Sequence, residues 1–256
     1  MDKLHVVKVG GTILNDAELL NRFLNAFAAI EGSKILVHGG GKNATELSKK
    51  LSIETKMLNG RRITDSATLE VVVMVYAGLI NTNLVAQLQS RGVNALGLSG
   101  ADLNIIHAHK RNHPTIDYGL VGDIQQVDGG KLQDLVDLGI TPVLCPITSD
   151  KSGQLLNTNA DTIATETAKA MNTQYQVTLK YCFEYPGVMR DIAKDNLPIN
   201  HLNRTLYDKL KSDGKVYSGM LPKIDNAFSA LEAGVQKVAI CGINNLTNEK
   251  DLTWIV

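Results

Sequence analysis

A lysine inside an apolar run is the first residue of this chain that asks for chemistry. Lys8 lies in His5-Val6-Val7-Lys8-Val9, a stretch rich in β-branched residues that stops at Gly10-Gly11. Such a run reads as a buried strand, and a glycine pair at its end lets another backbone or a ligand approach closely. A buried ammonium is costly unless an anion meets it, whereas a lysine that reaches water from the strand end needs none. Lys8 alone leaves both readings open. Lys223 raises the same question at a helix start. It follows Pro222, which suits a first helical turn, yet a cation there opposes the helix dipole at a cost of about 0.3–1 kcal/mol. An anion bound at that end would remove the conflict.

Other residues could complete an anion site. The strand-like run 34–38 enters Gly39-Gly40-Gly41 and then a polar helix over 42–51, an order that aims free backbone N–H groups at an anion. No Gly-Lys-Ser/Thr ends this turn and its spacing is not the dinucleotide fingerprint. Of the paired Arg61 and Arg62, Arg62 stands where a loop enters a helix, and a bidentate grip on a carboxylate is geometrically easy there. Asn159 reads as a helix N-cap with Asp161 in the first turn, and capping leaves Asn157 unexplained. His107, His109 and His113 gather near a polar tip, where histidines need no metal, and no metal site is expected.

These side chains need elements to hold them. Asn15 followed by Glu18 predicts a capped helix start, with Leu20, Phe23, Leu24 and Phe27 at helical spacing. A long helix follows Asp65, and a second helical stretch over 83–91 closes at Gly92. Segments 105–109 and 119–124 flank a polar tip and predict a hairpin, and 141–147 predicts one strongly apolar strand. Strands alternating with helices along the whole chain predict an α/β fold, a three-layer αβα sandwich on a mostly parallel sheet. Two lobes are expected, 1–172 and 173–256. Ligands of such sheets bind beyond the carboxyl ends of the strands, where the turns at 8–11, 38–41 and 99–102 all fall.

The totals bound what the site can be. At 256 residues and 44% hydrophobic content the chain can bury substantial cores. Lys and Arg together number 26, as do Asp and Glu, so no global field draws the protein to nucleic acid or a membrane surface, and any anion must be gripped locally. No signal peptide is expected, nor any apolar run of membrane-spanning length. Cys145, Cys182 and Cys241 have neither metal nor disulfide spacing and read as reduced thiols of a cytoplasmic protein.

With these residues assembled, the chain resembles the amino acid kinase superfamily and, within it, the N-acetylglutamate kinase branch. The resemblance rests on VKVGGTIL at 7–14, VHGGGK at 37–42, NGRRITD at 59–65, GLSGAD at 97–102, GLVGDI at 119–124, LNTNAD at 156–161 and SGMLPKIDNA at 218–227, in family order. It implies phosphorylation of the side-chain carboxylate of an N-acylated glutamate by ATP with Mg2+, an early step of arginine biosynthesis. By motif position, Lys8 and Lys223 would neutralise the phosphoryl group in transit while Asp161 holds both lysines. Gly10, Gly11 and Gly41 would donate backbone hydrogen bonds, and Gly40 and Gly41 would line the substrate pocket. Arg62 would hold the α-carboxylate and Asn157 the acylated amino group. The nucleotide would lie near Glu184, Gly187, Lys215 and Tyr217, over the C-terminal lobe, with Mg2+ held mainly by the phosphates. The resemblance also implies a homodimer through the central strand and long helix of the first lobe. With Lys8 so close to Met1 it leaves no room for the N-terminal helix of arginine-regulated relatives, so weak or absent arginine feedback is expected.

Departures from the family pattern leave alternatives. Lys42 follows the triple glycine, Thr82 stands where many relatives have lysine, and the stretch 179–188 looks longer than the usual nucleotide loop, with Glu184 for aspartate. Acetyl is the default acyl group and succinyl the competitor, because a charged acyl chain could use Arg61 or Lys42. A catalytically weak binding or regulatory protein, or another kinase of the superfamily, would be the rival reading.

Overall fold

A computed structural model describes residues 1–58, 61–189, 197–216 and 220–256. Its centre is an eight-stranded sheet in the order His201–Leu202, Thr253–Ile255, Lys237–Gly242, Gln176–Phe183, Lys3–Val9, Ser33–His38, Thr141–Leu144 and Ala95–Leu98. Every neighbouring pair is parallel except Lys237–Gly242 with Thr253–Ile255. Alternation along the strands splits the core in two. Leu4, Val6, Leu179 and Tyr181 join one apolar cluster, and Val7, Val9 and Cys182 the other. Helices Gly129–Asp137, Ala160–Met171 and Leu221–Glu232 cover the first face; Ala17–Ala28 and the long helix after Asp65 cover the second. The expected three-layer αβα architecture is present. Each fully buried Val, Ile or Leu in it stabilises by about 1.5–3 kcal/mol, so a lysine in the same sheet needs a compensating partner.

The local departures have physical reasons. Residues Gly11–Leu14 form a helical turn directly after Gly10, so Asn15 closes that turn, and Asp16 rather than Asn15 caps Ala17–Ala28 by accepting from Leu19 N at 2.9 Å. The two helical stretches expected after Asp65 are one 24-residue run, Ser66–Gln89, joined through a π-helical segment at Met74–Ile80. By length and composition that run could cross a membrane, contrary to expectation, but Val71, Val72, Val75, Leu84 and Leu88 pack it into the second core. The predicted strand 141–147 breaks at Pro146, which lacks the N–H a ladder needs. Thr141–Leu144 stays in the main sheet, and Ile147–Ser149 enters a small closed barrel with Ile106–Lys110, Val121–Val127 and Leu155–Thr158. The expected hairpin is the antiparallel pair within that barrel. Residues 180–183 belong to the buried strand Gln176–Phe183, so the loop that looked long in sequence begins only at Glu184.

Candidate active site

Lys8 sits one residue before the end of the central strand, where a short reach carries its side chain beyond the sheet edge. Its Nζ lies 2.7 Å from Asp161 Oδ1, and Lys223 Nζ lies 3.4 Å from Asp161 Oδ2. The Lys8 and Asp161 side chains are 8% and 9% exposed, and that of Lys223 is 22% exposed. Asn159 caps the helix Ala160–Met171 by accepting from Thr162 N at 3.0 Å, which sets Asp161 in the first turn, where the dipole also favours an anion. Burial alone would raise the Asp161 carboxyl, but Lys8 and Lys223 outweigh it and hold the group below the usual carboxylate range. Burial pulls the Lys8 ammonium below its ordinary value, with Asp161 opposing and Lys223 reinforcing the shift. Lys8 and Lys223 thus converge on one buried carboxylate beyond the carboxyl end of the central strand.

Two clefts lie near this trio, one reaching Ala160 next to Asp161 and the other lined by Lys8 and Lys223. The first is lined by Gly39, Gly40, Gly41, Arg62, Tyr76 and Asn157. Arg62 is 7% exposed; its Nη2 donates to Gly41 O at 2.9 Å and Thr45 Oγ1 at 2.8 Å, and its Nη1 to Thr55 Oγ1 at 3.2 Å. Those acceptors are all neutral, and among the described residues no carboxylate answers this guanidinium. Asn157 Nδ2 donates to Thr64 Oγ1 at 3.0 Å, so Oδ1 remains the amide's acceptor for an N–H in the cleft. Gly40 admits no side chain, because a Cβ would come within 2.4 Å of Ile80 Cδ1 and 2.8 Å of Tyr76 Cδ1. Gly41 opens the helix Gly41–Lys50, whose first N–H groups have no intrahelical acceptor.

The second cleft is lined by Gly10, Gly11, Thr12, residues 183–185, Gly187, Lys215 and Lys223, among others. Gly10 N is already bonded to Cys182 O at 3.0 Å, so its expected role as a donor does not hold. Gly11, at the first position of its helical turn, has no backbone acceptor for its N–H among the described residues. Gly187 is fixed by packing, since a Cβ would meet Thr253 Oγ1 at 2.5 Å and Pro198 Cβ at 2.7 Å. Glu184 is exposed, and Lys215 is an exposed partner of Asp213 at 3.5 Å. Tyr217 lies outside the described residues.

The chain matches the model of the amino acid kinase family over residues 3–242. It belongs to that family. It is 53% identical over 239 residues to an acetylglutamate kinase of Bacteroides fragilis, covering 93% of this chain and 92% of the relative. An acetylglutamate kinase of Methanopyrus kandleri is 37% identical over 95% of this chain and 96% of its own. Among solved structures, an N-acetylglutamate synthase from Neisseria gonorrhoeae, complexed with coenzyme A and N-acetyl-glutamate, aligns with a TM-score of 0.80 at 20% identity, over 99% of this chain and 59% of that one. A carbamate kinase from Giardia lamblia bound to AMP-PNP aligns with a TM-score of 0.69 at 13% identity, over 100% and 98%. At those identities the two structures speak for the fold alone.

Within this amino acid kinase fold, Lys8, Asp161 and Lys223 form one cluster, and Gly40, Gly41, Arg62 and Asn157 line one cleft beside it. Gly10, Gly11, Glu184, Gly187 and Lys215 line the other. Arg61 also faces the first cleft; burial lowers its guanidinium pKa, and Arg111 adds to that. Sequence reasoning missed the threonines that hold Arg62. Thr45 follows Gly41 by one helical turn and could have been found from that spacing, whereas Thr55 sits in an irregular segment and carries no such signal. His107, His109 and His113 stay apart from the clefts, and among the described residues no group of three or more His, Cys, Asp or Glu could hold a metal.

Proposed function

We propose that this chain phosphorylates the γ-carboxylate of N-acetyl-L-glutamate with ATP, forming an acyl phosphate and ADP. The observation that carries the reading is the Lys8–Asp161–Lys223 cluster, whose lysines line one cleft, together with a buried Arg62 in the other cleft that meets no carboxylate among the described residues. The attacking carboxylate is ionised at neutral pH, with a reference pKa of about 4.3, so no general base is required. Catalysis then consists of alignment and charge stabilisation. Arg62 grips the α-carboxylate with its fork, and Asn157 Oδ1 accepts from the acylated α-nitrogen. A γ-carboxylate oxygen attacks the γ-phosphorus of ATP as the bond to ADP breaks. Lys8, Lys223 and the N–H groups of Gly11, Gly40 and Gly41 balance the charge on the oxygens in transit. Asp161 holds the lysines and takes no proton. Its two oxygens face Lys8 and Lys223, and Mg2+ would be held mainly by the ATP phosphates as part of the substrate.

Residues 1–172 would bind the acceptor and 173–256 the nucleotide, near Glu184, Gly187, Lys215 and Tyr217. The expected homodimer would use the long helix and, in place of the central strand, which is covered on both sides, the edge strand Ala95–Leu98; Met74 and Leu79 are half exposed there and Leu96 is 38% exposed. The three cysteines are free and buried, in keeping with a cytoplasmic setting.

Incubation with MgATP, hydroxylamine and a panel of N-acetyl-, N-succinyl- and free glutamate tests the reaction, because hydroxamate appears only when an acyl phosphate forms. Hydroxamate with N-acetylglutamate is expected; ATP binding without hydroxamate from any acceptor would mark a binding protein instead. A second reading, N-succinylglutamate, is favoured by one observation. Arg61 stands in the acceptor cleft beside Arg62 and could meet a third carboxylate. A higher kcat/KM for the succinyl substrate that is lost in Arg61→Ala would select it.

A further inference from the structure

We infer that His38 and Asn81 form a positioning pair that fixes the Gly39–Gly40 peptide, so that the Gly40 N–H is held toward the transferring phosphoryl group. The inference rests on the proposed reading of this site as a kinase site. His38 ends the strand Ser33–His38 and is fully buried. Its Nδ1 lies 2.8 Å from Gly39 O, and its Nε2 lies 3.0 Å from Asn81 Nδ2. The same Asn81 nitrogen lies 2.9 Å from Val143 O. That carbonyl fixes the amide's orientation, because a flipped amide would set two acceptor oxygens against each other. An amide nitrogen only donates, so His38 Nε2 must accept, and the hydrogen of the neutral ring is on Nδ1. Nδ1–H therefore donates to Gly39 O. Burial keeps the ring neutral, lowering its pKa to about 4, with the Gly39 bond opposing and Lys8 reinforcing.

The consequence lies on the other side of the peptide plane. A trans peptide points its carbonyl and its N–H in opposite directions. With Gly39 O held by the ring, the Gly40 N–H faces away from His38. Gly40 is buried and lines the acceptor cleft, and its N–H has no hydrogen-bond partner among the described residues. A buried N–H without a partner is rare in native proteins and marks a place where a ligand oxygen completes the pairing. The long helix supplies the other half of the device. Its π-helical segment, a feature common at functional sites, carries Tyr76 and Ile80 against Gly40 and ends where Asn81 reaches the ring. Gly97 makes room for it, since a Cβ there would fall 1.9 Å from Asn81 Oδ1.

Two variants separate the bonds. The side-chain amide of His38→Asn can sit where Nδ1 does and keep the donor to Gly39 O, whereas His38→Gln can reach the Nε2 position and lose that donor. His38→Gln is expected to lower kcat about 10- to 100-fold, with both KM values within about twofold, a scale at or below the loss of one preorganised donor. His38→Asn should recover kcat to within about threefold. Equal losses in both variants, or a loss carried by KM, would overturn the inference. If His38→Gln does not fold, Asn81→Ala serves in its place, freeing Nε2 and relaxing the tautomer, again with kcat rather than KM affected. The tautomer itself is read without activity. Long-range 1H–15N correlation on the wild-type protein, with His38 assigned by its loss in His38→Asn, should give an Nδ1-protonated ring that stays neutral from pH 5 to 8. An Nε2-protonated ring, or protonation near pH 6.5, would refute the clamp even if the wild type made no hydroxamate and the kinase reading had failed.

Discussion

The two clefts, one lined by Arg62 and Asn157 and the other by Lys8 and Lys223, are built on different terms. The cleft proposed for the acceptor is walled by groups the fold has already bonded. Arg62 is held by Gly41, Thr45 and Thr55, Asn157 by Thr64, and Gly40 is wedged against Tyr76 and Ile80. The cleft proposed for the nucleotide offers exposed Glu184, Tyr185 and Lys215 together with backbone at Gly11 and Gly187. Desolvated, preorganised groups are worth kilocalories each, whereas exposed charges are screened and worth little singly. On the proposed assignment, the acceptor side would carry selectivity in few bonded groups, and the nucleotide side would draw less on any single polar contact.

Substitutions ranked by size can break that contrast. The largest effect is expected at the Lys8–Asp161–Lys223 cluster. Asp161→Asn removes the carboxylate shared by the buried Lys8 and the partly buried Lys223, and denaturant unfolding should show a loss of about 3–5 kcal/mol, the usual cost of removing one partner from a buried pair. A loss below about 1 kcal/mol would mean that the lysines simply part. Acid should next weaken the acceptor side through His38. Its folded pKa is depressed from 6.5 to about 4, so between those values the unfolded chain binds the extra proton. Stability is then full above pH 6.5 and falls as pH drops toward 4, by on the order of 3 kcal/mol at 1.36 kcal/mol per unit. Urea titrations of the wild type and His38→Asn across that range isolate the contribution, and parallel curves would argue against it.

Lys8→Ala should raise the barrier for kcat by about 2–4 kcal/mol, the scale of one lost preorganised donor. Near-normal turnover would remove Lys8 from the chemistry. On the acceptor side alone, Arg62→Lys loses the fork and should raise the KM for N-acetylglutamate by about 1.5–3 kcal/mol, with the KM for ATP unchanged. The smallest effect is expected on the nucleotide side, where Lys215→Ala should shift the KM for ATP by no more than about 1 kcal/mol. A shift as large as that of Arg62→Lys would erase the contrast between the clefts.

Much of this was legible in the chain because it is local. Cap chemistry put Asp161 in a first turn, glycine turns marked the strand ends that line the clefts, and Lys8 and Lys223 stood out as cations in the wrong places. Seams between elements were less legible. The break at Pro146, the shift of the cap from Asn15 to Asp16 and the joining of two helical stretches through Met74–Ile80 each depend on which neighbour a segment packs against.

What the sequence by itself determined was the alternating α/β order, the carboxyl edge at which a ligand binds, and the residue types gathered there, since periodicity, caps and turns follow from near neighbours. Only the tertiary structure decided how those residues are spent. It brought Lys223 to an Asp161 that lies 62 positions away, gave the Gly10 amide to Cys182, surrounded Arg62 with threonines and set Asn81 against His38. These pairings join segments far apart in the chain, and no local rule fixes them. They form because the packed sheet excludes water from these places, and a polar group there must find its partner in the protein or in the ligand.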